Sequence, residues 1–264
     1  MSDRGRAFPR LLLTGLLLTV LALGAATSRA DELADQLARG ERIRRELAVP
    51  GGAAREAHFE ILQEGRTVGW SILRLEPRED GKGSTYRHEL TMRMGEGAGI
   101  VATARAVLDP DFEVLELEVA RTTSGPNGPT KSVRERALLG GDRMTLERTE
   151  DGTTTAQPAS LPGHPCVAGL EFLLPLAAAK GREPFAFREL DPATGAVTPI
   201  SFSVSETADG GVRLSASRDL ENVDEYYVID REGRLVEFGD PNAALLERRV
   251  TPERIAEIRA ALAR

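Results

Sequence analysis

Cysteine is almost absent from this chain of 264 residues, which contains only Cys166. The chain therefore cannot form an internal disulfide, although disulfides often stabilise proteins in oxidising compartments. Its stability must come from a conventional core, and 41% of its residues are hydrophobic, as in ordinary globular proteins. A lipoprotein would need a cysteine at the cleavage point of its leader, and none lies there.

Aromatic residues and histidines are also few. Aromatic residues make up 5% of the chain, with one tryptophan, so few large rings are available to stack against sugars. The histidines His58, His88 and His164 are scattered, and no two have the i, i+4 spacing of a helical metal site. The sequence contains no serine-nucleophile elbow, zinc-protease helix or Walker loop. It therefore predicts no metal and no cofactor.

The chain has fewer basic residues (34) than acidic residues (41), which argues against a nucleic-acid partner. The formal net charge is −7. The first thirty residues hold four arginines and one aspartate, so their removal would change the net charge to −10. Phosphate backbones and anionic lipid surfaces attract clustered Lys and Arg. We therefore predict no nucleic-acid partner.

The first thirty residues have the three-part layout of a secretory signal peptide. Three arginines precede an uncharged apolar run over residues 11–26, and Ser28-Arg29-Ala30 provides a small-x-small cleavage pattern before Asp31. A run of about sixteen residues is at or below the low end of what crosses a hydrocarbon core of about 30 Å. We expect cleavage between Ala30 and Asp31, no permanent membrane span, and a periplasmic or extracellular location. The alternative is an uncleaved signal anchor that tethers the chain to a membrane.

From about Glu56 onward the hydrophobic period is two, which is typical of strands with one dry and one wet face. The clearest example covers residues 85–94, where Tyr86, His88 and Leu90 alternate with polar residues. Similar stretches, separated by Gly- and Asp-rich turns at hairpin spacing, predict about eleven or twelve strands. Because parallel sheets are covered on both faces and lack this alternation, we predict a mainly β fold with a long antiparallel sheet.

Three segments predict helices. Residues 31–49 carry apolar residues at i, i+4 before Pro50-Gly51-Gly52, which indicates a weak amphipathic helix lying loosely against the body. Residues 167–180 are apolar on nearly every side, so a helix there must be covered all round, with Pro175 kinking it or ending its first part. Pro252 at a first helical position predicts a C-terminal helix over 252–263.

Together these elements predict a curved sheet or half-barrel wrapped over the central helix. We expect a signal peptide over 1–30, an amphipathic helix and linker over 31–50, and a single β-rich domain over 51–264. Two subdomains that divide near residues 158–165 are the alternative.

Two short stretches carry a resemblance. The first is Gly65-Arg66-Thr67-Val68-Gly69-Trp70, which opens a hairpin, and the second covers residues 227–238 (YVIDREGRLVEF). They resemble the start and finish of β-rich modules in uncharacterised secreted bacterial proteins, some of which stand beside transglutaminase-like domains. The long curved sheet over a helix is similar to the lipoprotein-carrier fold of the Gram-negative envelope. The resemblance covers about residues 56–250, implies a binding or accessory module, and carries no catalytic residues.

Cys166 is the candidate nucleophile, because His164 lies two residues before it and an imidazole can activate a thiol. Residues two apart in a proline-flanked turn cannot easily point at each other, and no third orienting residue is identifiable. A small buried hydrophobic residue at the start of a helix is the favoured interpretation of Cys166.

Three functional hypotheses follow. The first is a non-enzymatic envelope module that binds an apolar or amphipathic ligand, or a lipidated partner, in the concavity of the sheet. The second is a structural or protein-interaction domain with a filled core, which would dock an envelope partner. The third is a hydrolase or transferase that uses Cys166. For the first hypothesis, the large residues expected to line the concavity are Trp70, Tyr86, His88, Phe172 and Phe202; the alternative is that they only fill the core.

Overall fold

A computed structural model describes residues 11–46, 54–93, 95, 98–125, 130–160, 167–220 and 222–263, with side chains from Arg29 onward. The helices are α1 (Leu11–Glu46), α2 (Leu170–Ala178) and α3 (Pro252–Leu262). The strands are β1 (Arg55–Gln63), β2 (Arg66–Pro77), β3 (Ser84–Arg93), β4 (Gly99–Leu108), β5 (Val114–Ser124), β6 (Lys131–Gly140), β7 (Arg143–Glu150), β8 (Thr153–Ser160), β9 (Phe185–Leu190), β10 (Val197–Glu206), β11 (Val212–Ser217), β12 (Glu225–Ile229), β13 (Leu235–Asp240) and β14 (Leu245–Val250). No helix in the described part of the chain combines the length and hydropathy that a membrane span requires.

The fourteen strands form one curved, unclosed antiparallel sheet, which confirms the predicted fold class. Strands β1–β8 and β9–β14 are two meanders, and they are joined where β1 pairs with β14, with His58 opposite Val250. The edge strands are β8 and β9. The sheet therefore has two strands more than the upper end of the predicted number.

Two of the strands have no alternation because each has the same environment on both faces. In β8 nearly every residue is exposed, so nothing distinguishes its two sides. In β9 the first three residues, Phe185, Ala186 and Phe187, are all buried, because the core covers one face and α1 packs on the other. The sequence period reports only strands whose two faces differ.

The concave face of the sheet holds the core, and α2 lies against it. Phe59 of β1, Leu73 of β2 and Leu214 of β11 are fully buried and cluster with Leu173 and Leu174 of α2. Most residues of α2 are buried, as expected for a helix without a polar face. The concavity is therefore largely filled by this helix.

The central helix is shorter than the predicted span of 167–180. Gly169 has a left-handed φ of 70°, and α2 begins directly after it at Leu170. Val167 instead forms isolated bridges to Glu113, directly before β5, and to Glu189 of β9. Pro175 lies inside α2 and does not end it.

The terminal helices cover the outer face. Helix α3 begins at Pro252 as predicted and ends at Leu262, and the Thr251 side chain accepts a hydrogen bond from the backbone of Arg254. Ile255 and Ile258 of this helix are both 3% exposed. The helix therefore buries its apolar stripe, while its other residues remain largely exposed.

Helix α1 is not loosely attached, which corrects the sequence-based expectation. Gln36 is buried and accepts a hydrogen bond from Ser201 of β10. Arg44 is 4% exposed and donates a hydrogen bond to the carbonyl oxygen of Asp111 at 2.7 Å. These polar contacts hold α1 against the sheet, and the apolar i, i+4 pattern did not reveal them.

Candidate functional site

Two of the five predicted lining residues meet beside α2. Tyr86 of β3 is 5% exposed and Phe172 of α2 is 8% exposed. Their ring centroids lie 6.3 Å apart in an edge-to-face arrangement. Both side chains face the concave side, as the alternation predicted for Tyr86.

Phe202 faces the same side but belongs to a separate row of rings. It stacks on Phe185 at 5.2 Å and packs against Tyr227 at 6.2 Å. Tyr227 stacks on Phe238, which contacts Phe59 of β1 edge to face. This row joins the two meanders across the concave face, and Phe202 itself is fully buried. It therefore contributes packing.

His88 lies on the concave face between Leu73 of β2 and Ala104 of β4. Burial lowers the pKa of His88 to about 4, so the imidazole is neutral near pH 7. Its Nε2 atom is buried and has no hydrogen-bond partner among the described residues. No three His, Cys, Asp or Glu side chains within the described ranges are grouped as metal ligands would be.

Trp70 does not face the concavity, and this prediction was wrong. It lies on β2 opposite Thr91 and alternates with Ser71, which is buried on the concave side. The Arg259 guanidinium of α3 lies 4.0 Å from the centroid of the Trp70 ring. The alternation in β2 shows which residues share a face, but it does not show which face is concave. Helix α3 covers the outer face of β2, so that face also carries apolar residues.

The remaining predicted positions give no site. Ala30 and Asp31, the expected cleavage point, are exposed on α1. Cys166 and His164 lie outside the described residues.

One cleft of about 400 Å³ opens at the end of the concave face beside the start of α2. We call it the acidic cleft, because Glu171, Glu189 and Glu225 line it together with Arg218. Arg218 contacts Glu189 at 2.9 Å and Glu225 at 3.0 Å. Burial raises the pKa of Glu189, and Arg218 opposes that rise. The cluster is thus a partly buried ion-pair network.

Tyrosines donate hydrogen bonds to two of the carboxylates in the acidic cleft. Tyr86 donates its hydroxyl to Glu171 at 3.0 Å, and Tyr227 donates to Glu225 at 2.6 Å. Burial raises the pKa of Glu171, and the hydrogen bond from Tyr86 opposes that rise. Because these carboxylates already have partners, the cleft is better suited to fixing α2 in place than to holding a cation.

A second cleft of about 380 Å³ lies on the other side of α2, and we call it the arginine cleft. Its apolar lining comes from both layers of the fold and includes Phe59, Leu73, Phe172, Pro175 and Leu235. Its charged lining residues are Arg55, Glu56, Glu171, Arg234 and Arg249.

Arg249 is the distinctive residue of the arginine cleft. It is half-buried on β14 opposite Phe59, and its Nη1 donates to the carbonyl oxygen of Leu235 at 3.1 Å. No carboxylate of a described residue lies within ion-pair distance of it. Burial, together with nearby Arg234, lowers the pKa of Arg249. A desolvated guanidinium with free donors beside apolar side chains favours an anion with an apolar part.

Sequence reasoning missed Arg249, although a signal was present. Arg248 and Arg249 are adjacent in a strand, so their side chains must point to opposite faces. Arg248 is exposed and lies 3.6 Å from Glu237 of β13. Arg249 must therefore face the concave side, where it lies opposite Phe59.

A buried carboxyl was also missed. Glu247 lies on β14 opposite Ile61 and accepts a hydrogen bond from the Ser71 hydroxyl. Burial raises the pKa of Glu247 to about 7, and the Ser71 hydrogen bond opposes that rise. No cation among the described side chains forms an ion pair with this carboxyl.

The fold is similar to that of a known structure. The crystal structure of a β-barrel-like protein of domain of unknown function DUF1849 from Brucella abortus matches with a TM-score of 0.51. The match covers 77% of this chain and 98% of that chain, with 12% sequence identity. At this identity the likeness shows the fold alone. No protein-family model and no curated protein matches the chain.

This similarity is consistent with a β-rich module of an uncharacterised kind. It does not confirm the resemblance to the lipoprotein-carrier fold. The described residues form a β-barrel-like fold, and the acidic cleft and the arginine cleft lie beside its central helix.

Proposed function

We propose that the chain is an exported, non-enzymatic module of the cell envelope that binds an amphipathic ligand, or a lipidated partner, in the concavity of its sheet. The observation that carries the proposal is Arg249, which has no described carboxylate partner, in a cleft lined by apolar side chains. The basic, apolar and small-residue layout of the first thirty residues supports export.

The arginine cleft offers two chemically different regions to one molecule. Its apolar lining comes from Phe172 and Pro175 of α2 and from Phe59 and Leu73 of the sheet, and Pro175 is the most exposed of the four. Charged side chains lie around the same cleft. Pockets that orient a small molecule commonly combine an apolar lining with a few polar groups.

Native mass spectrometry of the protein purified from the exported fraction tests ligand binding. We expect masses above that of the polypeptide, and organic extraction should release an amphipathic molecule. A single species at the polypeptide mass, with an empty extract, would contradict the proposal.

The same sample tests export. We expect the mature polypeptide to begin at Asp31, which intact mass and N-terminal sequencing can establish. A full-length chain recovered with membranes would indicate the uncleaved signal anchor.

A filled-core structural or protein-interaction domain is the second candidate function. It is favoured by α2, which occupies the concavity, and by Tyr86, Phe172 and Phe202, which are at most 8% exposed. An empty organic extract combined with capture of an envelope protein would support this candidate.

Thiol labelling addresses the hydrolase or transferase alternative, because fast labelling of Cys166 in the native chain would indicate a reactive thiolate.

A further inference from the structure

We infer that the arginine cleft takes a single-chain amphiphile with a carboxylate head group, which Arg249 binds with help from Arg55. This inference rests on the proposed function and adds the chemical class of the ligand.

Two of the charged residues lining the cleft are already neutralised. Glu56 contacts Arg74 at 2.5 Å, and Arg234 contacts Asp230 at 2.7 Å. Neither is free to define the charge of a ligand. Besides burial, Arg234 lowers the pKa of Arg249, and Asp230, the ion-pair partner of Arg234, opposes that effect.

Glu171 lies between the two clefts and lines both. Its Oε2 accepts the hydroxyl of Tyr86 on the side of the acidic cleft. Glu171 thus brings a carboxylate to the arginine cleft as well. The cations there without a described carboxylate partner are Arg249, which is half-buried, and Arg55, which is exposed.

The guanidinium of Arg249 is held in place with donors to spare. One Nη1 hydrogen bond to the carbonyl oxygen of Leu235 fixes the side chain against the end of β13. A guanidinium has five N–H donors in a planar fork, and such a fork matches the two oxygens of a carboxylate. No other hydrogen bond of this side chain to a described residue is formed.

The apolar lining selects the rest of the ligand. It includes Pro175, which is partly exposed, and Phe172, Phe59 and Leu73, which are at most 8% exposed. The cleft has a volume of about 380 Å³. This is near the low end of ordinary small-molecule pockets, about 300–1,000 Å³. It accommodates one flexible chain more readily than a bulky multi-chain lipid.

The number of arginines that can pair with the head group limits its negative charge. Arg249 is the half-buried guanidinium, whereas Arg55 is exposed and screened by solvent. A carboxylate brings one negative charge, which Arg249 can match. A phosphate monoester brings about −1.5 to −2 charges at pH 7, and its second charge would remain poorly compensated in this cleft.

Calorimetric titration of the full chain with laurate, dodecanol and dodecyl phosphate, each at a concentration where it is monomeric in solution, tests the inference. We expect laurate to bind more tightly than both other probes. Arg249→Met should weaken laurate binding by about tenfold to a hundredfold and leave dodecanol binding unchanged. Arg248→Met is the matched control, because it removes the neighbouring arginine from the opposite face, and it should leave laurate binding within about twofold.

The outcomes separate the two levels of the proposal. If laurate and dodecanol bind equally well, or Arg249→Met does not affect laurate, the carboxylate inference is wrong and amphiphile binding stands. Tighter binding of dodecyl phosphate would also overturn it. If none of the probes binds, the proposed function itself fails. The preference for laurate over dodecanol is measured on the unaltered chain, so it remains decisive even if Arg249→Met does not fold.

Discussion

Replacing Glu247 by glutamine tests whether a carboxyl group on the concave face loses its solvation when the chain folds. In the folded chain, burial raises the pKa of Glu247 to about 7, against an ordinary value of 4.5. Glutamine has nearly the same shape and can still accept the hydrogen bond from Ser71. The variant therefore removes the titration and keeps the packing.

The sign follows from linkage between proton binding and folding. Below pH 4.5 the carboxyl is protonated in both states, and it imposes no charge penalty on the folded chain. As the pH rises from 4.5 to about 7, the unfolded chain loses its proton first, so the folded state becomes less stable. Above about 7 the penalty is constant. A difference of about 2.5 pKa units corresponds to a loss of about 3 kcal/mol in the free energy of unfolding.

Urea unfolding of the wild type and of Glu247→Gln, followed by circular dichroism between about pH 4 and pH 8, measures this loss. We expect the two proteins to be similar near pH 4 and the variant to be more stable by about 3 kcal/mol near pH 8. Other titrating groups are shared by both proteins and cancel in the difference. Glu257→Gln, on the exposed side of α3, is the control and should give a small difference at all pH values. A stability difference between wild type and Glu247→Gln that does not change with pH would refute the reasoning.

Three further substitutions test the packing of the helices, each measured by urea unfolding. Leu174→Ala, in the fully buried face of α2, should cost about 2–5 kcal/mol, whereas Leu115→Ala, at an exposed strand position, should cost less than about 1 kcal/mol. Equal losses would contradict the burial of α2. Gly40→Ala should destabilise by about 1–3 kcal/mol, because a Cβ there would overlap the carbonyl oxygen of Ala186; a neutral effect would mean that α1 does not pack closely on β9. Thr251→Ala should cost about 1 kcal/mol through loss of the N-cap of α3, and Thr251→Ser should restore most of it.

The regular strands were predictable wherever one face is wet. Strand β3 was expected from the alternation of Tyr86, His88 and Leu90 with polar residues, and it forms over Ser84–Arg93. Strand β9 was not expected, because α1 covers the face that would otherwise carry polar residues. Covering both faces of a strand removes the pattern that identifies it.

The candidate site was predictable only in part. The alternation placed Tyr86 on the concave side, and the all-apolar segment placed Phe172 in a buried helix. The same reasoning misplaced Trp70, because α3 makes the outer face of β2 apolar as well. Arg249 is not part of a hydrophobic pattern, and only the structure shows that no carboxylate of a described residue forms an ion pair with it.

The sequence alone determined that this is a mainly β chain with a covered central helix, because period and polarity are local properties of neighbouring residues. Tertiary structure decided which face of each strand is concave and how α1 is attached to β9 and β10. It also decided which charges in the arginine cleft have no ion-pair partner among the described residues. These depend on contacts between residues that are far apart in the chain, such as Gln36 with Ser201 and Arg249 with Leu235.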